Sequence, residues 1–218
     1  MKVWIRAAAL VSAASFAAAA IAAEGGTEGA SPAASAAPAP PSEEKTKAFV
    51  GVGVGTGTAR YKVNGTTKSF SDTLQGSSDE SPFIAVKVVT FGVEVKPNLF
   101  AGADLTGVAQ SGTNTNTDTN TLQISNYFAS LTWFPWETGL FLKGAAGMSS
   151  FFIASGTQSD RSYGLGVLVS AGYALRLSGA HHLMLSAEQG WQTYWGSSAT
   201  KPDSSQYNAA YLGYLWRN

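Results

Sequence analysis

His181 and His182 are the only imidazoles in the chain, which holds no cysteine, so they are its first candidates for metal binding or general-base work. They fall in or beside a short turn, away from the long-loop rim where a base acting on surface substrates would have to stand. No ordinary Ser-His-Asp arrangement can be built around them, and they read as turn residues. Asn114, Asn116, Asp118 and Asn120 space oxygen ligands two apart, as a calcium loop does. That loop would need Gly where Thr119 stands and Glu where Ser125 stands, so the run reads as a polar hairpin tip. Gly51, Gly53, Gly55 and Gly57 alternate with valines and threonines, with no third Gly of a G-x-G-x-x-G pattern and no helix following. Asp79-Glu80 is a solvated acidic pair, and the formal sequon at Asn64-Gly65-Thr66 is better read as a turn. The missing cysteine also excludes disulfides, thiolate zinc sites, a thiol nucleophile and a lipidated N-terminal cysteine. No catalytic, cofactor-binding or metal-ligating set emerges, and the reading is of a non-enzyme without cofactor.

The elements that carry these residues are strands. The 218 residues are only 13% charged, 11% aromatic and contain 24 glycines, against a usual charged share of ~25%. Fourteen basic residues balance fourteen acidic ones, which leaves no electrostatic footprint for nucleic acid. A mean hydropathy of +0.01 excludes a bundle of membrane helices. It fits a sheet whose apolar face alternates with a polar one. From residue 48 onward the hydrophobic period is two. Eight runs follow, at residues 49–59, 83–95, 99–109, 122–134, 139–151, 163–177, 182–195 and 207–216. Most match the ~9–11 tilted residues that cross a bilayer. Short connections follow the second, fourth and sixth runs, and long polar ones follow the first, third, fifth and seventh. The expected fold is all-β: an eight-stranded antiparallel up-and-down transmembrane β-barrel, short turns and termini in the periplasm, long loops outside.

Alternation then assigns faces. Leu140, Leu142, Ala146 and Met148 point to lipid on the fifth run, as do Leu165, Val167, Val169, Ala171 and Tyr173 on the sixth. Five charged residues take the inward parity: Glu94, Asp104, Lys143, Arg176 and Glu188. A lipid-facing charge at mid-depth costs ~2–4 kcal/mol, so a lumen network of these five is expected. Asp104, Lys143 and Glu188 would form its middle layer, with Lys143 the sole cation there. Glu94 and Arg176 would form a second layer at the periplasmic rim. Lys87 breaks the scheme, because it shares the outward parity of Phe91 and Val93. Either its stem snorkels to the surface or a bulge turns it inward. Aromatics gather near strand ends as two girdles. Trp133, Phe134, Trp136, Tyr173, Tyr214 and Trp216 lie toward the short turns. Tyr127, Phe151, Tyr163, Trp191 and Trp195 lie toward the long loops.

Ahead of the strands, Lys2 and Arg6 precede a 17-residue uncharged Ala-rich run ending at Ala23. Residues 1–23 read as a secretory signal peptide cleaved after Ala22 or Ala23. Residues 24–47 are rich in Ala and Pro, hold no aromatic, and cannot bury enough surface to order themselves. They read as a disordered periplasmic tether, and residues 48–218 as the barrel domain.

The segment LTWFPWETGLFLKGAAGMSS, residues 131–150, and the ending YLGYLW make the chain resemble the small bacterial outer-membrane β-barrels of the OmpA and opacity-protein kind. The resemblance implies a cell-outer-membrane location in a Gram-negative envelope and contact with outer-membrane lipids. It also implies recognition of the last strand by the barrel assembly machinery, although Arg217 and Asn218 follow the final aromatic, Trp216. The fold hosts unrelated activities. A monomeric barrel is expected, with a side-chain-filled lumen and a structural or surface-interaction role that includes an extracellular partner at the loops. The alternatives are a narrow channel, an outer-membrane enzyme acting on lipid or protein, and a soluble lipocalin-like carrier.

Overall fold

The computed structural model describes residues 46–74, 79–113, 119–136, 139–156, 158–195 and 201–218. The leader expected at residues 1–23, the tether up to residue 45, and residues 114–118 of the polar run lie outside them, as do Glu137 and Thr138 of one short turn.

Eight long strands form one antiparallel sheet that closes on itself. They are β1 (Ala48–Val63), β2 (Ile84–Lys96), β3 (Leu99–Thr113), β4 (Thr119–Trp133), β5 (Leu140–Ser155), β6 (Gln158–Ser178), β7 (His181–Tyr194) and β8 (Ser204–Arg217). Each strand pairs with its sequence neighbour, and β8 pairs with β1 from Phe49↔Arg217 to Lys62↔Ser204. Closure gives every long strand a ladder on both sides, so no strand is an edge strand. The ladder that starts at Arg60 passes through Gln206, Trp191, Val167, Ala146, Ala129, Ala103 and Phe91. It returns to β1 at Val50, ten residues before its start. This stagger tilts the strands around the barrel axis.

The alternation of the sequence becomes the two faces of the wall. Val50, Val52, Val54, Leu142, Met148, Leu165, Val167, Val169, Leu185 and Leu212 are exposed on the outside, while Phe141, Lys143, Ala145, Leu168 and Ser170 are buried within. Gly92 and Gly190 are inward positions that only glycine fits. A Cβ at Gly92 would lie 2.6 Å from the Phe49 ring, and one at Gly190 would lie 2.3 Å from the Tyr207 ring. The missing side chains let those rings cross the lumen.

The loop side departs from the sequence reading: strand extends into the connection expected at residues 110–121, to Thr113 and again from Thr119. The connection after the first run, expected as a long loop, is ordered structure through Leu74. β1 continues to Val63, Asn64 and Gly65 make a two-residue turn with φ of 49° and 80°, and Thr66–Ser69 pairs back onto β1. Positive φ at both positions is what an Asn-Gly hairpin turn supplies. The helix α1 (Phe70–Leu74) follows, with both of its apolar residues buried. Ser69 Oγ accepts from the Asp72 N–H at 2.9 Å, and the Ser69 N–H donates back to Asp72 Oδ2 at 3.3 Å, a capping box. The connection expected at residues 152–162 is likewise mostly strand, since β5 runs to Ser155 and β6 begins at Gln158. β-branched and hydroxyl residues there keep the ladder going past the apolar belt. Phe134 and Phe151 do not join the girdles. Both are about 1% exposed and point into the lumen, because each takes the inward parity of its strand.

Candidate functional site

The inward side chains fill the lumen in three layers. At the short-turn end Phe49, Phe100, Phe134 and Phe141 come from β1, β3, the end of β4, and β5. Their ring centroids lie 5.4–6.1 Å apart in edge-on and tilted contacts. Met184 and Leu215 pack with them. The Arg217 guanidinium lies 4.0 Å from the Phe134 ring centroid, a cation–π contact that closes this end.

The middle layer is charged. Lys143 Nζ meets Asp104 Oδ1 at 2.6 Å and donates to Thr90 Oγ1 at 2.6 Å. Lys87 Nζ meets Glu188 Oε2 at 2.8 Å and sits 4.7 Å from the centroid of the Tyr211 ring. Tyr207 and Tyr211 donate their hydroxyls to Glu188 Oε1 at 2.8 and 3.4 Å. Asn126 joins Tyr207, Thr106 and Ser149 above them. The four ionic residues are 1–6% exposed. Two cations and two anions cancel, which is the condition for holding charges out of water. Asp104 Oδ2 and the hydroxyls of Ser130, Thr132, Ser170 and Ser186 have no protein partner. Buried oxygens of this sort are usually satisfied by ordered water.

At the loop end Tyr61, Phe70, Phe83, Phe151 and Tyr194 stack with centroids 5.3–6.2 Å apart. Leu74, Leu122, Ile124, Phe128 and Leu168 pack around them. The Tyr61 hydroxyl lies 2.9 Å from Thr73 Oγ1, tying α1 to β1.

Of the five charged residues expected to share a network, the structure brings Asp104 and Lys143 together as one pair. Glu188 lies in the same layer but pairs with Lys87. Glu94 and Arg176 stay at the short-turn rim and do not meet. Glu94 faces Lys47 at 3.7 Å and accepts from the Asn98 N–H at 2.8 Å, stabilising the Pro97-Asn98 turn. Arg176 is exposed and donates Nε–H to the Gly179 carbonyl at 3.1 Å. Its inward parity places it where β6 leaves the lumen, so it caps a turn and is not part of a network. Lys143 is not the sole cation of the middle layer, because a bulge delivers Lys87. Thr106 and Leu105 of β3 face Lys87 and Val89 of β2. Val88 is therefore the extra residue, and it shifts the parity of everything N-terminal to it.

His181 and His182 sit at the short-turn end. His181 Nδ1 contacts the Tyr214 hydroxyl, and His182 Nδ1 contacts the Ala180 carbonyl at 3.1 Å. No cluster of metal-binding side chains occurs among the described residues.

No family model and no curated protein matches the chain. Solved structures do. The attachment invasion locus protein Ail of Yersinia pestis, in complex with the heparin analogue sucrose octasulfate, superposes with a TM-score of 0.51 at 12% identity, over 80% of this chain and 99% of that one. Neisserial surface protein A superposes with a TM-score of 0.50 at 10% identity, over 78% of this chain and 96% of that one. At such identities the likeness is one of fold, that of the small eight-stranded outer-membrane β-barrels.

Proposed function

We propose that this chain is exported, loses its first 22–23 residues, and resides in the outer membrane as a closed barrel, short turns and termini in the periplasm. Its role is structural or surface-interactive. The observation that carries this reading is the filled lumen: two mutually neutralised ion pairs lie between two aromatic layers. An ion crossing such a lumen would have to break a buried pair and displace stacked rings at both ends. The exposed apolar wall supports a lipid environment, flanked by Trp133, Tyr173 and Tyr214 toward one end and Tyr127, Tyr163 and Trp195 toward the other. The loop end, then, is the surface left for an extracellular partner.

Planar-bilayer recording tests the closed lumen. The purified barrel should give no steady current above the lipid baseline, and reproducible unitary steps would favour the narrow channel instead. Mass spectrometry of the membrane-extracted protein should show a mature start at residue 23 or 24, and an intact Met1 would refute export by cleavage. Protease added to intact cells should cut at Lys68 or Arg161, both exposed at the loop end. Cleavage only after permeabilisation would invert the orientation. A lipid and peptide hydrolysis screen addresses the enzymatic alternative, and turnover abolished by no lumen or loop substitution would point to contamination.

A further inference from the structure

The outer wall is not uniformly apolar. On β1, β8 and β7 it turns polar in the half nearer the loops. The row through Val54, Leu212 and Leu185 is apolar. One row toward the loops, Thr56, Ala210, Ala187 and Ala171 are partners in succession. The next row runs Thr58, Asn208, Gln189 and Val169. Then come Arg60 with Gln206 and Trp191, and Lys62 with Ser204 and Thr193. Thr58, Arg60, Lys62 and Asn208 are exposed. Among the described residues neither Arg60 nor Lys62 forms an ion pair. Asp203 meets Lys62 through the backbone, N–H to carbonyl at 2.7 Å.

The small side chains of Ala171, Ala187 and Ala210 leave a shallow, open depression on this wall, edged by Thr56, Thr58, Gln189 and Asn208. A second groove, of about 560 Å³, is lined by Arg60 and Lys62 together with Leu165, Val167 and Trp191. The two abut, since their linings are two residues apart on β1, β6, β7 and β8. The wall therefore reads, from the loop end downward, as two cations, then carboxamides and hydroxyls, then an apolar trough.

We propose that this wall binds one class of lipid: a lipid bearing a phosphate monoester, with acyl chains joined through ester or amide groups. Arg60 and Lys62, about 6.6 Å apart along one strand face, neutralise the phosphate. Thr58, Asn208 and Gln189 lie below, at the depth of the linkage groups, and exchange hydrogen bonds with them. Plain hydrocarbon would leave these carboxamides unpaired, at the cost of a desolvated polar group. An acyl chain lies along Ala210, Ala187 and Ala171. A second copy of the barrel fits less well, because a two-fold interface over this patch would bring its cations to the same seam.

The inference rests on the reading of this wall as lipid-facing. Its test uses the full mature barrel in phosphatidylcholine nanodiscs, titrated with labelled diphosphoryl lipid A. The Arg60→Gln/Lys62→Gln variant should lower the apparent affinity by at least about tenfold, and added salt should weaken wild type more than the variant. Ala187→Phe, which fills the trough and leaves the cations, should also lower affinity but keep the salt dependence. Inorganic phosphate should fail to compete, and phosphatidylglycerol, a singly charged diester, should compete weakly. Unchanged affinity in the double variant would overturn the proposal, and so would equal competition by phosphatidylglycerol or a dimer mass without bound lipid. Heat-modifiable migration on gels is read in parallel. Its absence in wild type would strike the membrane-barrel reading itself, whereas its presence with no lipid binding would strike the lipid site alone.

Discussion

The two ends of the lumen are closed by the same chemistry and by different parts of the chain. At the short-turn end the rings of Phe49, Phe100, Phe134 and Phe141 come with the barrel wall, so no separate ordering step is needed once the strands pair. At the loop end part of the seal is brought in from the first connection. Phe70 and Leu74 ride on the five-residue α1, held by the Ser69–Asp72 capping box and the Tyr61–Thr73 contact. A seal carried by strands shares the stability of the whole sheet. A seal carried by a short connection can open while the sheet stays intact. The difference separates what holds the barrel together from what covers it.

Substitutions in the middle layer, the two seals and the cap of α1 probe that separation. The largest loss should come from the layer between the two seals. Lys87→Met or Lys143→Met leaves a buried carboxylate unpaired, which typically costs ~3–5 kcal/mol. Either should lower the unfolding midpoint in detergent far more than Lys201→Met, which alters a residue outside the wall, just ahead of β8. Replacing a pair at once, as in Lys143→Met with Asp104→Leu, should recover most of the loss. Equal midpoints for Lys143→Met and Lys201→Met would mean that the layer is solvated. Phe134→Ala comes next, at about 3 kcal/mol, because neighbouring strands cannot collapse into the gap. Phe70→Ala should cost less than Phe134→Ala, since α1 can resettle, yet it should give the larger rise in leak current across a bilayer. Equal costs for the two would show that α1 folds as one unit with the sheet, erasing the distinction. The smallest effect is expected from Ser69→Ala, about 1 kcal/mol, through loss of the cap. Hydrogen exchange should localise that loss to residues 66–74, and protection changing evenly across β1 and β8 would contradict a separable cover.

Much of the sheet could be read from alternation. Leu140, Lys143 and Met148 declare their faces because nothing interrupts the period between them. Asp104 and Lys143 were legible as lumen partners for the same reason. Lys87 stayed open between the surface and the lumen, because parity counted back from Phe91 fails at Val88, where one inserted residue leaves no compositional trace. Position near the strand ends points Phe134 and Phe151 to the girdles, but their parity is inward, and parity decides where the rings go. Arg176 kept its parity, but the wall ends before its side chain can turn inward. α1 hid because five residues make barely more than one helical turn. Its only signals are the four-residue spacing of Phe70 and Leu74 and the Ser69-x-x-Asp72 pattern, both weak inside a polar stretch.

The seam between β1 and β8 has a kinetic consequence. It joins residues as far apart as Phe49 and Arg217, and the Ala48 N–H reaches Asn218 Oδ1 across 170 positions. The ladders between consecutive long strands join neighbours in sequence and can form locally, whereas this one must wait until seven strands have been laid down in order. Loop-closure entropy of that size favours late, cooperative closure and slow overall folding. Until then the alternating valines and glycines of β1 present an unpaired edge suited to pairing with other chains. A polypeptide with this register therefore carries an exposed strand for as long as β8 stays unpaired, and the time to closure sets its window for mispairing.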